Sequence, residues 1–273
     1  EIPEEAQPYG ATADRRSPEG DTPEVRRPQE PQKPYPYAEI EVSYESPAGR
    51  CRLAGALTKP RGRGPFPAVI LIGGSGPIDR DGTAFGHRLL LVLANYLTRR
   101  GIAVLRVDKR GVGGSTGDYE AATTADFADD VLAGMAYLET RRDVDPRRIG
   151  LIGHSEGGAI APMCAVHAHD VTFIVMMAGP AVPGDKILPS QIEVLMRADG
   201  AAPDAIAGEQ ARLAQIFAVL RTERERSRAE RKVREILSQA HRAEAEHGGD
   251  TESKSYLLRS ELSEWVSPWL RFF

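Results

Sequence analysis

The chain has 273 residues, 41% of them hydrophobic, which is enough for a folded core and too many for a disordered chain. Its 35 Lys and Arg residues nearly balance 39 Asp and Glu residues, so the net charge of −4 argues against a nucleic-acid-binding surface. The longest apolar run, 171–178, is far shorter than the roughly 20 residues that a membrane-spanning helix needs. Two cysteines, Cys51 and Cys164, exclude a disulfide framework and a cysteine-based zinc site, and we expect two buried thiols rather than one bridge.

The first 37 residues contain eight prolines and many charges, with few aliphatic side chains. Such a segment cannot bury enough apolar area to offset the entropy lost on ordering, so we expect a linker or tail over residues 1–37. A proline-motif ligand is the alternative. The chain begins at Glu1 rather than Met, which is compatible with an exported protein or with a cut linker. A secreted or periplasmic location is therefore favoured over a cytoplasmic one.

Residues 38–184 alternate between strand and helix patterns. Alternating apolar residues on each side of Pro47-Ala48-Gly49 predict a β-hairpin. Apolar runs then predict strands, the first of them covered on both faces, and 3.6-residue periodicity predicts helices between them. The strands are expected at 68–72, 102–107, 149–153 and 171–178, and the helices at about 85–100, after a capping box at Thr123, and at 156–169. This alternation predicts an α/β fold with a mainly parallel sheet and helices on both faces.

Residues 185–267 have only helical patterns and predict a separate helical insertion. An apolar stripe runs from Ile206 to Leu220, and residues 221–235 are densely charged. Acidic and basic residues nearly cancel here, which predicts a solvated helical face, with a coiled-coil partner helix as the alternative. Residues 268–273 would begin a further core strand.

The segment Gly153-His154-Ser155-Glu156-Gly157-Gly158 lies between a buried strand and the start of a helix. It fits the pattern Gly-x-Ser-x-Gly, in which a tight turn lifts the serine hydroxyl above the sheet edge. Glycines two positions before and after the serine are needed because the backbone passes too close for a side chain. The N-terminus of the following helix then faces the negative charge that develops on a substrate.

These residues resemble the α/β-hydrolase superfamily, in particular bacterial serine carboxylesterases related to dienelactone hydrolases and S9 peptidases. Two further segments carry the resemblance, 72–77 and 108–113. The resemblance implies that Ser155 is the nucleophile and that an oxyanion hole is formed by the backbone N–H groups of Ser75 and Glu156, with Gly74 beside them. It implies no cofactor and no metal, and it makes the helical insertion a cap. We expect the Glu156 carboxylate to face solvent or to pair with an arginine.

A serine nucleophile needs a base, which in this superfamily is a histidine that follows the serine and an acid in the chain. The chain has six histidines: His87, His154, His167, His169, His241 and His247. His167 and His169 lie about 18–21 Å along the helix that Ser155 begins, so they cannot reach the hydroxyl. His87 is a candidate pocket-lining residue near the oxyanion loop, although a helix-start role is the plainer interpretation.

The acid and the base are therefore expected outside this chain, which stops at Phe273 just where the next strand should approach. The leading hypothesis is a serine esterase acting on small-molecule esters, with a partner chain or a second copy as a way to complete the fold. Peptidase and thioesterase activities are alternatives within the same chemistry. A catalytically silent binding protein on the same scaffold is the alternative from another class.

Overall fold

A computed structural model of the protein describes residues 27–84 and 86–246. Contacts divide the described chain into two compact units, one up to Ala181 and one from Val182 onward. The strands, all in the first unit, are β1 (Ala38–Ser46), β2 (Cys51–Lys59), β3 (Phe66–Ile72), β4 (Thr83–Ala84), β5 (His87–Arg88), β6 (Ala103–Val107), β7 (Val144–His154) and β8 (Val171–Met177). The helices are α1 (Leu89–Thr98), α2 (Thr124–Glu139) and α3 (Glu156–His167) in the first unit, and α4 (Gly184–Ala198), α5 (Pro203–Thr222) and α6 (Arg226–Glu246) in the second.

Six strands form one sheet in the order β1-β2-β6-β3-β7-β8. The predicted hairpin is confirmed, because β1 and β2 pair antiparallel over their full length. Strand β2 is also antiparallel to β6, whereas β6, β3, β7 and β8 are parallel to one another. The mainly parallel sheet predicted from the alternation of strands and helices is therefore present.

Helices cover both faces of this sheet because the strand order reverses at β3. Its successor β6 lies on one side and β7 on the other, and right-handed crossovers then place the connecting helices on opposite faces. Alternate side chains of β3 follow this division. Ile70 packs in the core formed with α2 and α3, whereas its neighbour Leu71 packs with α1. The reversal brings the carboxyl ends of β3 and β7 side by side, where ligands bind in sheets of this type.

Helix α1 is shorter than the sequence predicted. It begins at Leu89 rather than near residue 85, because Thr83–Ala84 pairs with His87–Arg88 in a two-stranded hairpin. Gly86 supplies the positive φ of 68° that this turn requires. The predicted capping box at the start of α2 is confirmed, since the Thr123 side chain accepts from the N–H of Asp126 and the Asp126 side chain accepts from the N–H of Thr123.

Strand β8 forms an edge of the described sheet and pairs there only with β7. Its apolar side chains are exposed by 36–44% at Phe173, Ile174, Val175 and Met176. The strand is where the apolar run predicted it. Among the residues that the structure describes, no helix is long and apolar enough to cross a membrane.

The second unit consists, over its described residues, of the three helices α4, α5 and α6. The predicted apolar stripe on α5 is buried within it, at Ile206, Leu213, Ile216 and Phe217. Gln210 on α5 donates to the carbonyl oxygen of Pro189 on α4 at 2.8 Å. Residues 247–267 of the predicted insertion, like segments 1–26 and 268–273, lie outside the described residues, and a cap role for the helices stays a prediction.

Candidate active site

Ser155 occupies a sharp turn between the end of β7 and the start of α3. Its backbone has φ 53° and ψ −119°, a combination that residues other than glycine rarely adopt. Two main-chain hydrogen bonds hold the turn, one from the Ser155 N–H to Met177 O at 2.9 Å and one from the Gly158 N–H to Ser155 O at 2.8 Å. Strained backbone of this kind persists only where the surroundings enforce it, and it is concentrated at functional sites.

The glycines on each side of this turn are required by close backbone approach. A methyl group on Gly153 would lie 1.9 Å from the carbonyl oxygen of Gly157, and one on Gly157 would lie 2.4 Å from Ile72 O. Both distances are far below van der Waals contact, and both neighbours are backbone atoms that cannot move aside. The turn therefore accepts only glycine at the two positions that the Gly-x-Ser-x-Gly pattern specifies.

The loop after β3 lies directly beside the serine. A methyl group on Gly74 would stand 3.1 Å from Ser155 Cβ and 3.4 Å from His154 Nδ1. The structure thus brings the predicted Gly74 together with Ser155, at the adjacent carboxyl ends of β3 and β7. Ser75 follows Gly74 in this loop, and Glu156 provides the first N–H of α3, a position that has no acceptor within the helix.

The Glu156 side chain differs from expectation. It is fully buried, whereas the sequence predicted a carboxylate facing solvent or paired with arginine. Its Oε2 atom accepts from Lys109 Nζ at 2.9 Å, and its Oε1 atom accepts from the Thr124 hydroxyl at 2.8 Å. The prediction was wrong because the first turn of α3 packs against the start of α2 and the loop after β6, two elements that are distant in sequence.

The segment 108–113 holds the loop between β3 and β4 in place. Asp108 accepts from the guanidinium and the backbone N–H of Arg80, and from the N–H of Gly114 at 2.9 Å. Burial alone would raise the pKa of Asp108, but these hydrogen bonds outweigh it and hold the pKa below its usual value. Asp108 is therefore a buried anchor for Arg80, which lies six residues after Gly74 in the chain.

The described histidines are placed as follows. His154 ends β7, and burial lowers the pKa of its ring below the usual value, which favours the neutral form. His167 ends α3, on the far end of the helix from Ser155. His87, a candidate for lining the pocket, lies in β5 rather than at a helix start, with its Nε2 atom 3.1 Å from Gln29 Nε2. The Ser155 side chain makes no hydrogen bond that caps α3.

Cys51 and Cys164 are both buried and unbridged, as predicted. Burial raises the pKa of each thiol, to about 12 for Cys164, so neither is a ready nucleophile. Within residues 27–84 and 86–246, no group of three or more His, Cys, Asp or Glu residues is arranged to hold a metal ion.

The family model described as "Serine aminopeptidase, S33" matches residues 87–235 of the chain. The esterase EstD of Thermotoga maritima is 34% identical over 143 residues, which cover 52% of this chain and 34% of that protein. An uncharacterized protein of Mycobacterium tuberculosis is 38% identical over 105 residues, covering 38% of this chain and 36% of that protein. The matched part of the chain thus spans about a third of the length of these curated relatives.

Solved structures also resemble the chain. A Pyrococcus furiosus esterase superposes with a TM-score of 0.47 at 22% sequence identity, covering 60% of this chain and 57% of that one.

Proposed function

Because the chain belongs to the S33 serine aminopeptidase family of α/β hydrolases, we propose that it carries the nucleophile of a serine hydrolase that cleaves carboxylic esters. In the proposed reaction the Ser155 hydroxyl gives its proton to a base and its oxygen attacks the ester carbonyl carbon. The carbonyl oxygen becomes an oxyanion that accepts from the N–H groups of Ser75 and Glu156. Collapse expels the alcohol, which takes up the proton, and water then releases the acid from Ser155.

The observation that carries this proposal is the conformation of Ser155. A serine at φ 53°, between a parallel strand and a helix and with a glycine backbone against its Cβ, has no structural purpose that another residue would not serve better. The strain has a use if the hydroxyl must project from the turn. The helix N-terminus at Glu156 and the adjacent Gly74 loop support the same interpretation, that Ser155 is a nucleophile.

We place the base and its acid beyond the described residues, on further strands of the hydrolase sheet. His167 lies at the far end of α3 and cannot reach the Ser155 hydroxyl, and the Ser155 side chain makes no hydrogen bond that caps α3. The exposed apolar side chains of β8 support this placement, because an apolar strand of a mainly parallel sheet is normally covered. We propose that the full-length gene product supplies these strands, with a second polypeptide as the alternative source, and that the substrate is a small-molecule ester.

A second candidate is peptidase activity, which the description of the matching family model favours. The acyl transfer to Ser155 would be the same, with an amine as the leaving group instead of an alcohol. Thioesterase activity stays an alternative with the same nucleophile.

The test is steady-state hydrolysis of p-nitrophenyl acetate, an aminoacyl p-nitroanilide and acetyl-coenzyme A by the full-length gene product. We expect the ester to be the best substrate and Ser155→Ala to lower kcat at least about 1,000-fold. Ser238→Ala, at an exposed serine on α6, is the matched control and should leave kcat unchanged. Preferred cleavage of the anilide would favour the peptidase, and no turnover of any substrate would favour the silent binding protein.

A further inference from the structure

Lys109 connects the two segments of the proposed oxyanion hole. Its Nζ atom donates to the carbonyl oxygen of Gly74 at 2.7 Å and to Oε2 of Glu156 at 2.9 Å. The ammonium also lies 4.4 Å from the centre of the Phe127 ring, and the side chain is only 9% exposed. A single buried cation therefore holds the loop after β3 and the first residue of α3 at the same time.

The contact with Gly74 has a direct geometric consequence for Ser75. The carbonyl of Gly74 and the N–H of Ser75 belong to one trans peptide unit, in which these two groups point in opposite directions. When Lys109 fixes the direction of the carbonyl, it also fixes the direction of the N–H. A peptide flip that turned the Ser75 N–H away would cost the hydrogen bond between Lys109 and the carbonyl of Gly74.

The contact with Glu156 holds the other proposed donor. The Glu156 carboxylate is fully buried, and both of its oxygens are used, by Lys109 and by the hydroxyl of Thr124. Thr124 is itself buried at the start of α2. The side chain of the residue that offers the second N–H is thus held from two directions.

We propose that Lys109, with Glu156 and Thr124, is a positioning device that sets the spacing and direction of the two oxyanion donors. This inference rests on the proposed function, and it assigns to these side chains a role in the transition state rather than in substrate binding. A purely structural role is the competing explanation. Buried ion pairs are a weak source of stability compared with well-packed apolar side chains, so stability alone gives little reason for this one.

The test measures kcat and KM for p-nitrophenyl acetate, together with the urea midpoint of unfolding, in the full-length gene product. Lys109→Met should lower kcat by about 10- to 100-fold and change KM less than about threefold. The N–H groups of Ser75 and Glu156 would be misplaced, so that they would stabilise the oxyanion of the transition state less well. This variant also leaves the Glu156 carboxylate buried without its cation, so it is expected to be destabilised.

The double variant Lys109→Met/Glu156→Gln separates the two explanations. Removing both charges should restore much of the urea midpoint, while kcat stays low because nothing holds the Gly74 carbonyl. Thr124→Val and Thr124→Ser form a second pair that does not change any charge. The valine should lower kcat about three- to tenfold, whereas the serine keeps the hydroxyl and should stay within about twofold of the original protein.

A matched ion pair outside the site provides the control. Lys59 and Asp143 lie 2.9 Å apart, with side chains 21% and 17% exposed. Lys59→Met/Asp143→Asn should lower the urea midpoint and leave kcat unchanged.

The positioning role is overturned if the Lys109/Glu156 double variant folds and retains kcat within about twofold. If that variant does not fold, unchanged kcat in Thr124→Val overturns it. Failure of the proposed function would look different, since kcat would then be absent in the original protein or unaffected by Ser155→Ala.

Discussion

The backbone of Gly158, in the first turn of α3, packs directly on the backbone of Gly179, just after β8. A methyl group on Gly158 would lie 2.6 Å from the Cα atom of Gly179. A methyl group on Gly179 would likewise lie 2.9 Å from the Cα atom of Gly158, and main-chain atoms cannot move aside by rotating a side chain. This approach fixes the start of α3, and with it the turn at Ser155, against the end of the neighbouring strand.

Gly158→Ala should therefore destabilise the protein, although alanine is normally the better residue in a helix by about 1 kcal/mol. We expect the free energy of unfolding to fall by about 1–3 kcal/mol, the typical cost of overpacking. The measurement is urea unfolding followed by circular dichroism. Gly208→Ala on α5 is the matched control, because a methyl group there meets no atom within 4 Å and should be neutral or stabilising.

Gly74→Ala should affect catalysis more than stability. The added methyl would stand 3.1 Å from Ser155 Cβ and must push the loop or the serine by a few tenths of an ångström. Since small displacements of reacting groups are costly, we expect kcat for p-nitrophenyl acetate to fall about 10- to 100-fold. The urea midpoint should change little, and an unaltered kcat would show that the loop does not border the reacting centre.

Asp143 should make stability depend on pH in the acid range. Arg141 donates to both of its oxygens at 2.9 Å and Lys59 approaches one of them at 2.9 Å, which lowers its pKa from 3.8 to about 2. Because the folded pKa is lowered, the stabilisation is complete above about pH 4 and is lost as the pH falls through about 2.

The fall in the Asp143 pKa from 3.8 to about 2 corresponds to about 2.5 kcal/mol, so Asp143→Asn should lower the free energy of unfolding by about 2–3 kcal/mol at pH 7. The difference from the original protein should shrink below pH 4, as measured by urea unfolding at a series of pH values. Asp145→Asn is the control, since its partner Arg147 is 90% exposed and 3.7 Å away, and a change under about 1 kcal/mol is expected. If the difference in unfolding free energy stayed constant down to pH 2, the negative charge of Asp143 would not be the source of the stabilisation.

The sequence alone was sufficient to predict the structural features that depend on residues close together in the chain. The hairpin β1–β2, the buried strands β3 and β7, and the cap at Thr123 each follow from alternation, an apolar run or a three-residue spacing. The turn at Ser155 was also predictable, because its glycines stand at fixed offsets from the serine.

The remaining features depend on contacts between distant segments. The pairing of Lys109 with Glu156 joins residues 47 positions apart, and no periodic pattern marks it. A charged residue directly after the serine was the available signal, and it predicted a carboxylate facing solvent or paired with an arginine instead. The β4–β5 hairpin was missed because each strand has two residues, too few for any period to show. The exposure of the β8 side chains is not marked in the sequence, because an apolar run indicates a strand without indicating its neighbours.

The most direct test of the central claim is covalent trapping of the nucleophile. The full-length gene product would be treated with a fluorophosphonate, digested and analysed by mass spectrometry, with Ser155→Ala treated in parallel. We predict a single phosphonylated site on the peptide that contains Ser155, absent from the Ser155→Ala variant. A folded protein that takes up no label at Ser155, or that is labelled equally in the variant, would contradict the account.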